Sequence, residues 1–330
     1  MPDPDVVTRG WFAVALSAEI TDTPREVWLH DTPWAVWRDA GRVVAFVDQC
    51  PHRAYPLSAS TVCSDGTLQC GYHGWRFDMS GTCVAIPALD AGSPIPSRAD
   101  LQSAAGVIES GGIVWMAPSE TCGDVPDMTA FTDGFEVGVL TPGRADVDPG
   151  MMIDNFLDVA HFPFVHGGTF ATEGSGTVEQ YEIERIGDGF TAVTEHEFNN
   201  HEDAGVAAGI RPLVQRRRMT YRYHPPYAAT LRLDYLDYGG VNMLLFAVQP
   251  ERGRTCRIYT TMFRDDLTAD AIAHAVAFEE RVLEEDLVIQ RRIRTRLPLS
   301  AGAEVHTKAD RVTIELRRVL AEFATDSARS

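Results

Sequence analysis

Cys50-Pro51-His52 and Cys70-Gly71-Tyr72-His73 form the pattern C-x-H, seventeen intervening residues, C-x-x-H. Each half offers one thiolate and one imidazole, and four such donors can close a metal site. Structural zinc sites more often pair cysteine with cysteine and histidine with histidine along the chain. Mixed halves suit a 2Fe–2S cluster of the Rieske type, in which two cysteines hold one iron and two histidines hold the other. Pro51 and Gly71 lie inside the two halves, where a fixed φ and a free φ help form tight turns. Such turns aim backbone N–H groups at cluster sulfurs and tune the potential. The chemistry this motif offers is one-electron transfer.

A second constellation runs Asn155-Phe156-Leu157-Asp158-Val159-Ala160-His161-Phe162-Pro163-Phe164-Val165-His166. The pattern predicts a helix over roughly Met152 to His161, closed there because Pro163 disfavours helix at Phe162. Asn155, Asp158 and His161 then share one face, and His166 lies on a turn that curls back toward it. Two imidazoles and a carboxylate make the facial triad of non-haem ferrous sites, with three positions left open. The third ligand has to come from far along the chain. A long helix predicted from about Thr268 to Arg296 offers Glu279, Glu280, Glu284, Glu285 and Asp286. Ile272, Val276, Val282, Leu283, Ile289 and Ile293 trace an apolar stripe, and Asp286 falls within it. A buried carboxylate is costly unless it meets charge or metal. Asp286 is therefore the expected ligand, with Glu279 and Glu285 as alternatives, although Glu284 and Glu285 are expected to lean to the polar side. Asp158 can orient the His161 imidazole, or else ligate the iron itself. Asn155 is a candidate for a hydrogen bond beside the open iron position, and equally for a satisfied buried amide.

These motifs resemble the Rieske non-haem iron oxygenases, specifically their oxygenase (alpha) component. Length and the N-x-x-D-x-x-H spacing resemble the alpha-only group typified by vanillate and dicamba O-demethylases. The resemblance implies a 2Fe–2S cluster on Cys50, His52, Cys70 and His73, and a mononuclear Fe(II) on His161, His166 and Asp286. It implies dioxygen as co-substrate and electrons drawn from NAD(P)H through a separate reductase, with or without a ferredoxin. It implies a homotrimeric head-to-tail ring, in which Asp158 bridges His161 to a cluster histidine of the neighbouring subunit. The expected reaction is hydroxylation or oxidative demethylation of a small, largely apolar aromatic or alicyclic molecule. Desaturation or oxidative cyclisation of a natural product is the alternative within the family, and an electron carrier with a vestigial second site is the alternative outside it. Ser58-Ala59-Ser60 departs from the family pattern, which commonly has glycine after the first cluster half, but touches no ligand.

The elements that must position these residues read as α+β. Before residue 100 the chain is short strands: Trp11–Leu16, Val27–Leu29, Ala35–Trp37 and Val43–Val47 are rich in β-branched and aromatic residues. This is an all-β Rieske domain, 1–120. The polar stretch Pro118 to Asp127 marks a linker to a catalytic domain, 121–330. There, Tyr181–Ile186, Met219–Tyr223, Thr230–Leu236, Asn242–Val248 and Arg257–Phe263 predict an antiparallel sheet with one wet face. It is wrapped on the long C-terminal helix in a helix-grip arrangement, and a last helix covers about Thr313 to Phe323. Tyr235, Met243, Leu245 and Phe246 are candidates for the pocket wall. The 330 residues carry 47 acidic and 29 basic side chains, net −18, which argues against nucleic-acid and anionic-membrane partners. No apolar run reaches the roughly 20 residues of a membrane span. Met1 to Asp5 lacks the basic-then-apolar pattern of an export signal, so a cytoplasmic location is expected. Of the six cysteines, those outside the cluster motif have no disulfide-scaffold spacing, and Cys63 and Cys83 read as packed residues.

Overall fold

The computed structural model describes residues 7–90, 92–171 and 177–325. Met1 to Asp5, read above for its lack of an export pattern, lies outside them. The chain forms two compact units. One holds Thr8–Cys122 with Pro250–Gly253, and the other holds Val7, Gly123–Gln249 and the chain from Arg254 onward.

The first unit is built from three small antiparallel sheets. Phe12–Leu16, Ile113–Ala117 and Gly106–Ser110 form the first; Arg25–Leu29, Thr32–Asp39 and Arg42–Val47 form the second. The third consists of four strands of two or three residues between Thr61 and Ala85. Trp37, Phe46, Leu57, Leu68 and Phe77 pack one core with Cys50 and Cys70, so the two cluster cysteines hang from a hydrophobic floor.

The second unit is an eight-stranded antiparallel sheet with helices. Its strand order is Glu136–Val139, Thr255–Arg264, Val241–Pro250, Ala228–Tyr235, Val214–His224, Gly189–Asn199 and Glu182–Ile186, with Gly143–Asp146 also pairing on Thr255–Arg264. Val214–His224 alternates strictly, burying Gln215, Arg217, Met219, Tyr221 and Tyr223, as a sheet with one covered face requires. The long helix Ala269–Gln290 lies against Glu136–Val139. Gly138 makes that approach possible, because a Cβ there would stand 2.5 Å from Val276 Cγ2. Arg311–Thr325 forms the last helix, burying Leu316, Val319, Leu320 and Phe323. No described helix is long and apolar enough to cross a membrane.

Several elements differ from the sequence expectation. Gly189–Asn199, Glu136–Val139 and Gly143–Asp146 are strands that the apolar pattern did not mark. The long helix stops at Gln290, short of Arg296. The helix before the second motif spans Pro149–Leu157, starting earlier and ending four residues sooner than His161. Asp148 caps it, its carboxylate accepting from Met151 N at 3.1 Å, and Pro149 opens it. It ends at Asp158, which turns extended and accepts from Ala160 N at 2.8 Å, a local bond that competes with the helix. Pro163 then sits in the first turn of a new one-turn helix, Phe162–Val165, where its missing N–H has no partner to lose.

Candidate metal centre

The two cluster loops fold alike. Cys50 N donates to Tyr55 O at 2.8 Å and Ala54 N to Cys50 O at 2.9 Å; Cys70 N donates to Trp75 O at 2.8 Å and Gly74 N to Cys70 O at 3.0 Å. The fourth residue after each cysteine is left-handed, with φ +53° at Ala54 and +69° at Gly74, a conformation glycine takes freely and alanine does not. Both cysteines are 2% exposed. The His52 and His73 rings lie 4.4 Å apart, and Trp75 stacks on His52 at 4.8 Å. Burial pushes the Cys50 thiol up to about 11, against the His52 and Arg53 backbone N–H groups that favour its thiolate. His52 Nδ1 is buried without a hydrogen-bond partner. Such an orphaned nitrogen beside two buried thiols and a second imidazole fits a 2Fe–2S cluster of the Rieske type. The Ser58–Ser60 stretch fastens the loops: Ser58 N and Oγ donate to Asp48 at 2.7 and 2.5 Å, and Ser60 Oγ accepts from Gly71 N at 3.3 Å.

In the second unit, His161, His166 and Asp286 come together from the turn, the end of the one-turn helix and the long helix. Their donor atoms all lie within 4.8 Å of one another. The three edges are nearly equal: Nε2 to Nε2 3.2 Å, His161 Nε2 to Asp286 Oδ1 3.3 Å, and His166 Nε2 to Asp286 Oδ1 3.2 Å. Ligands about 2.1 Å from one ion at adjacent octahedral positions lie about 3.0 Å apart. The far side of each ring is also occupied. His161 Nδ1 meets Asp158 Oδ2 at 3.2 Å and His166 Nδ1 meets Glu285 Oε2 at 2.7 Å. A proton on each Nδ1 serves those carboxylates and turns both Nε2 lone pairs toward a third, on Asp286. Three lone pairs this close repel unless a cation sits among them. The charge balance agrees. Burial opposes a charged His161, yet Asp158 and Asp286 push it up to about 9. Burial raises Asp286, yet the two histidines pull it down to about 2. The donor set fits a mononuclear iron of the two-histidine, one-carboxylate kind.

Asn155 is drawn into this cluster. Its Nδ2 lies 3.0 Å from Asp286 Oδ1 and 3.3 Å from His161 Nε2, and its Oδ1 accepts from Gln290 Nε2 at 2.7 Å. Glu285 is turned to His166 rather than to the polar side, and Thr169 Oγ1 also donates to it at 3.0 Å. Glu279 lines the neighbouring cavity, and among the described residues no hydrogen bond or ion pair ties it to the triad. Glu285, Thr169 and Gln290 were not assigned these roles by sequence. Only the adjacency of Glu285 to Asp286 hinted at one.

Beside the triad is a cavity of about 90 Å³, walled largely by Phe156, Phe162, Phe170, Phe198, Leu231 and Leu244. Tyr235 lines it as expected. Met243 and Leu245 do not, because strand alternation puts Asn242 and Leu244 on the cavity face and turns those two away. Phe246 stands behind the wall, stacked on Phe156 at 4.4 Å.

Residues 10–104 match the Rieske [2Fe-2S] domain, and residues 145–326, more than half of the chain, match the vanillate O-demethylase oxygenase C-terminal domain. The methylxanthine N1-demethylase of Pseudomonas putida is 29% identical over 284 residues, 85% of this chain and 77% of that protein. The dicamba O-demethylase oxygenase component of Stenotrophomonas maltophilia is 32% identical over 188 residues, 56% of this chain and 54% of that protein. Two solved structures share the fold. A mutant of the Pseudomonas putida N1-demethylase with theobromine superposes with TM-score 0.84 at 24% identity, over 98% of this chain and 92% of that one. Dicamba monooxygenase bound to 3,6-dichlorosalicylic acid superposes with TM-score 0.83 at 22% identity, over 98% and 99%. A Rieske domain followed by this C-terminal domain is the arrangement of one enzyme family, and the chain belongs to it: the Rieske non-haem iron oxygenases, which work with a 2Fe–2S cluster, a mononuclear iron, dioxygen and electrons from a separate reductase.

Proposed function

We propose that this oxygenase demethylates or hydroxylates a compact, largely apolar aromatic, heteroaromatic or alicyclic molecule held beside His161, His166 and Asp286. The convergence of those three donors on the wall of an aromatic cavity carries the reading. Iron bound there supplies dioxygen activation, with electrons passed on from the cluster. The chain's own residues set the conditions. Glu285 and Asp158 each hold a proton on an Nδ1 and so fix both rings in the ligating tautomer. The Asn155 amide N–H steadies Asp286 Oδ1, and Gln290 steadies the amide in turn. The phenylalanine walls keep water from the reacting carbon and hold a flat ring by its faces.

Asp158 has the second role of relaying electrons. Its side chain is still 32% exposed while one oxygen faces His161, which supports a contact with a cluster histidine of a neighbouring subunit. We read the working form as a head-to-tail homotrimer, fed in the cytoplasm by a reductase, with or without a ferredoxin. The test supplies a surrogate reductase, NADH and dioxygen with a panel of methoxy- and N-methyl-substituted rings. Formaldehyde release with loss of the methyl group marks demethylation, and gain of one oxygen atom marks hydroxylation. Oxygen consumption that never couples to product, in protein carrying both metals, refutes the reading.

A further inference from the structure

Among the described residues, Arg217 is the one arginine or lysine in the cavity wall, and no carboxylate hydrogen-bonds to it. It is 7% exposed and lies mid-strand on the cavity face, opposite His196 on one neighbour and Tyr235 on the other. Its Nε donates to His196 Nε2 at 3.1 Å, and its guanidinium lies over Phe198 at 4.4 Å and Phe170 at 5.1 Å. Among the described residues, its two terminal nitrogens meet no acceptor and no carboxylate within salt-bridge distance. Burying an arginine this way is costly unless something completes its hydrogen bonds. The nearby acids do not do so. Glu202 is engaged by Arg264 at 3.1 Å, and burial pushes Glu279 up to about 7, so it is readily protonated near neutrality. His196 accepts from Arg217 and is held neutral by burial and by that same cation.

Arg217 and the triad share one cavity wall. The Phe170 ring stands 5.1 Å from the guanidinium and 4.9 Å from the His166 ring, so the cation and the triad flank one side chain of the cavity wall. Met219, Leu231 and Leu233 add to the apolar part of the same wall. A molecule filling the cavity meets the cation, the apolar side chains and the triad together.

We propose that Arg217 selects the substrate by pairing with an oxyanion of the carboxylate class, carried on a ring at the end remote from the carbon that reacts. The proposal rests on the oxygenase reading above and adds the charge and polarity of the substrate. A planar guanidinium with its terminal N–H edge free is the group best suited to a carboxylate.

The test pairs methoxy- and methyl-substituted benzoates and heteroaryl carboxylates with their primary amides, which keep the shape and lose the charge. Binding to the anaerobic holoenzyme is measured by calorimetry, with cluster absorption and melting temperature confirming that each variant is folded. In the native protein at least one acid binds tighter than its amide by about 10- to 100-fold. Arg217→Gln removes that preference by weakening the acid alone, and Arg217→Lys retains part of it. Three results overturn the proposal: no acid binds better than its amide, Arg217→Gln weakens acid and amide equally, or only neutral compounds are oxidised while acids are excluded. The last would leave the oxygenase reading standing. Acids bound through Arg217 but never oxidised would instead remove the proposed reaction and leave this assignment intact.

Discussion

Replacing Glu285 with glutamine tests whether the His166 tautomer is held by this carboxylate. Glu285 Oε2 accepts from His166 Nδ1 at 2.7 Å and from Thr169 Oγ1 at 3.0 Å. Glutamine keeps the size and a carbonyl acceptor but loses the charge. Charge-assisted bonds contribute about 1.5–3 kcal/mol, against about 1 for a neutral one. Loss of a carboxylate partner behind a ligating histidine typically weakens a metal about 10- to 100-fold, or about 1.4–2.7 kcal/mol. The expected result is a weakening of Fe(II) binding in that range. It is measured by anaerobic competition against a chromophoric chelator, and the cluster spectrum serves as an internal standard because none of its ligands are shared. Glu284→Gln is the control: its carboxylate faces solvent and pairs with Arg291 at 2.6 Å, so iron affinity is unchanged. Thr169→Val, which removes one of the two bonds on Glu285, falls between. Wild-type iron affinity in Glu285→Gln would refute the orienting role, and with it the tautomer argument for the triad.

Asp286→Asn is expected to lower iron from about three to about two per chain with the cluster spectrum intact; an unchanged count moves the ligand elsewhere and revives Glu279. Because Asp158 meets His161 from outside the triad, Asp158→Asn is expected to keep its iron yet reoxidise a reduced cluster about 10- to 100-fold more slowly in stopped flow, and a native rate removes the relay. Burial, reinforced by Arg217 and Arg222 respectively, holds His196 and His224 down to about 3. Below about pH 6.5 the unfolded chain therefore takes up protons that the folded one refuses, and stability falls with pH at up to ~1.4 kcal/mol per unit for each histidine. Urea midpoints at neutral and mildly acid pH check this, with a smaller acid loss expected in His224→Gln; identical slopes in both proteins count against it.

What was legible in the sequence is what the chain encodes locally. Cys50 to His52 and Cys70 to His73 each place two donors on one short loop, and the closing bonds to Tyr55 and Trp75 span only five residues. Asp286 was legible because it interrupts an apolar helical stripe, and burial then needs a partner. The end of the first helix was not. It depends on one competing bond, from Ala160 N to Asp158, which no apolar period reports. Glu285 was misread for a related reason. Its burial comes from His166 and Thr169, more than a hundred residues earlier. The strand Gly189–Asn199 was missed because Glu195, His196 and Glu197 mask its alternation with polar residues on both faces.

Arg217 shows the limit most sharply. It stands in the run Gln215-Arg216-Arg217-Arg218, which by composition is a solvated basic face. In the sheet, Arg216 and Arg218 point outward to Asp237 at 2.9 Å and Glu195 at 2.7 Å, while Arg217 between them turns into the cavity. Nothing in the run distinguishes the three. The choice is made by register with Gly189–Asn199 and Ala228–Tyr235, which sets His196 and Tyr235 opposite Arg217. A slip of one residue would expose Arg217 and bury its neighbours. Metal ligation is thus written in spacing along the chain, whereas the cavity's charge is written in the parity of paired strands. Relatives can keep the first while changing the second, so membership of the family fixes the metals and leaves the substrate to the register of the sheet.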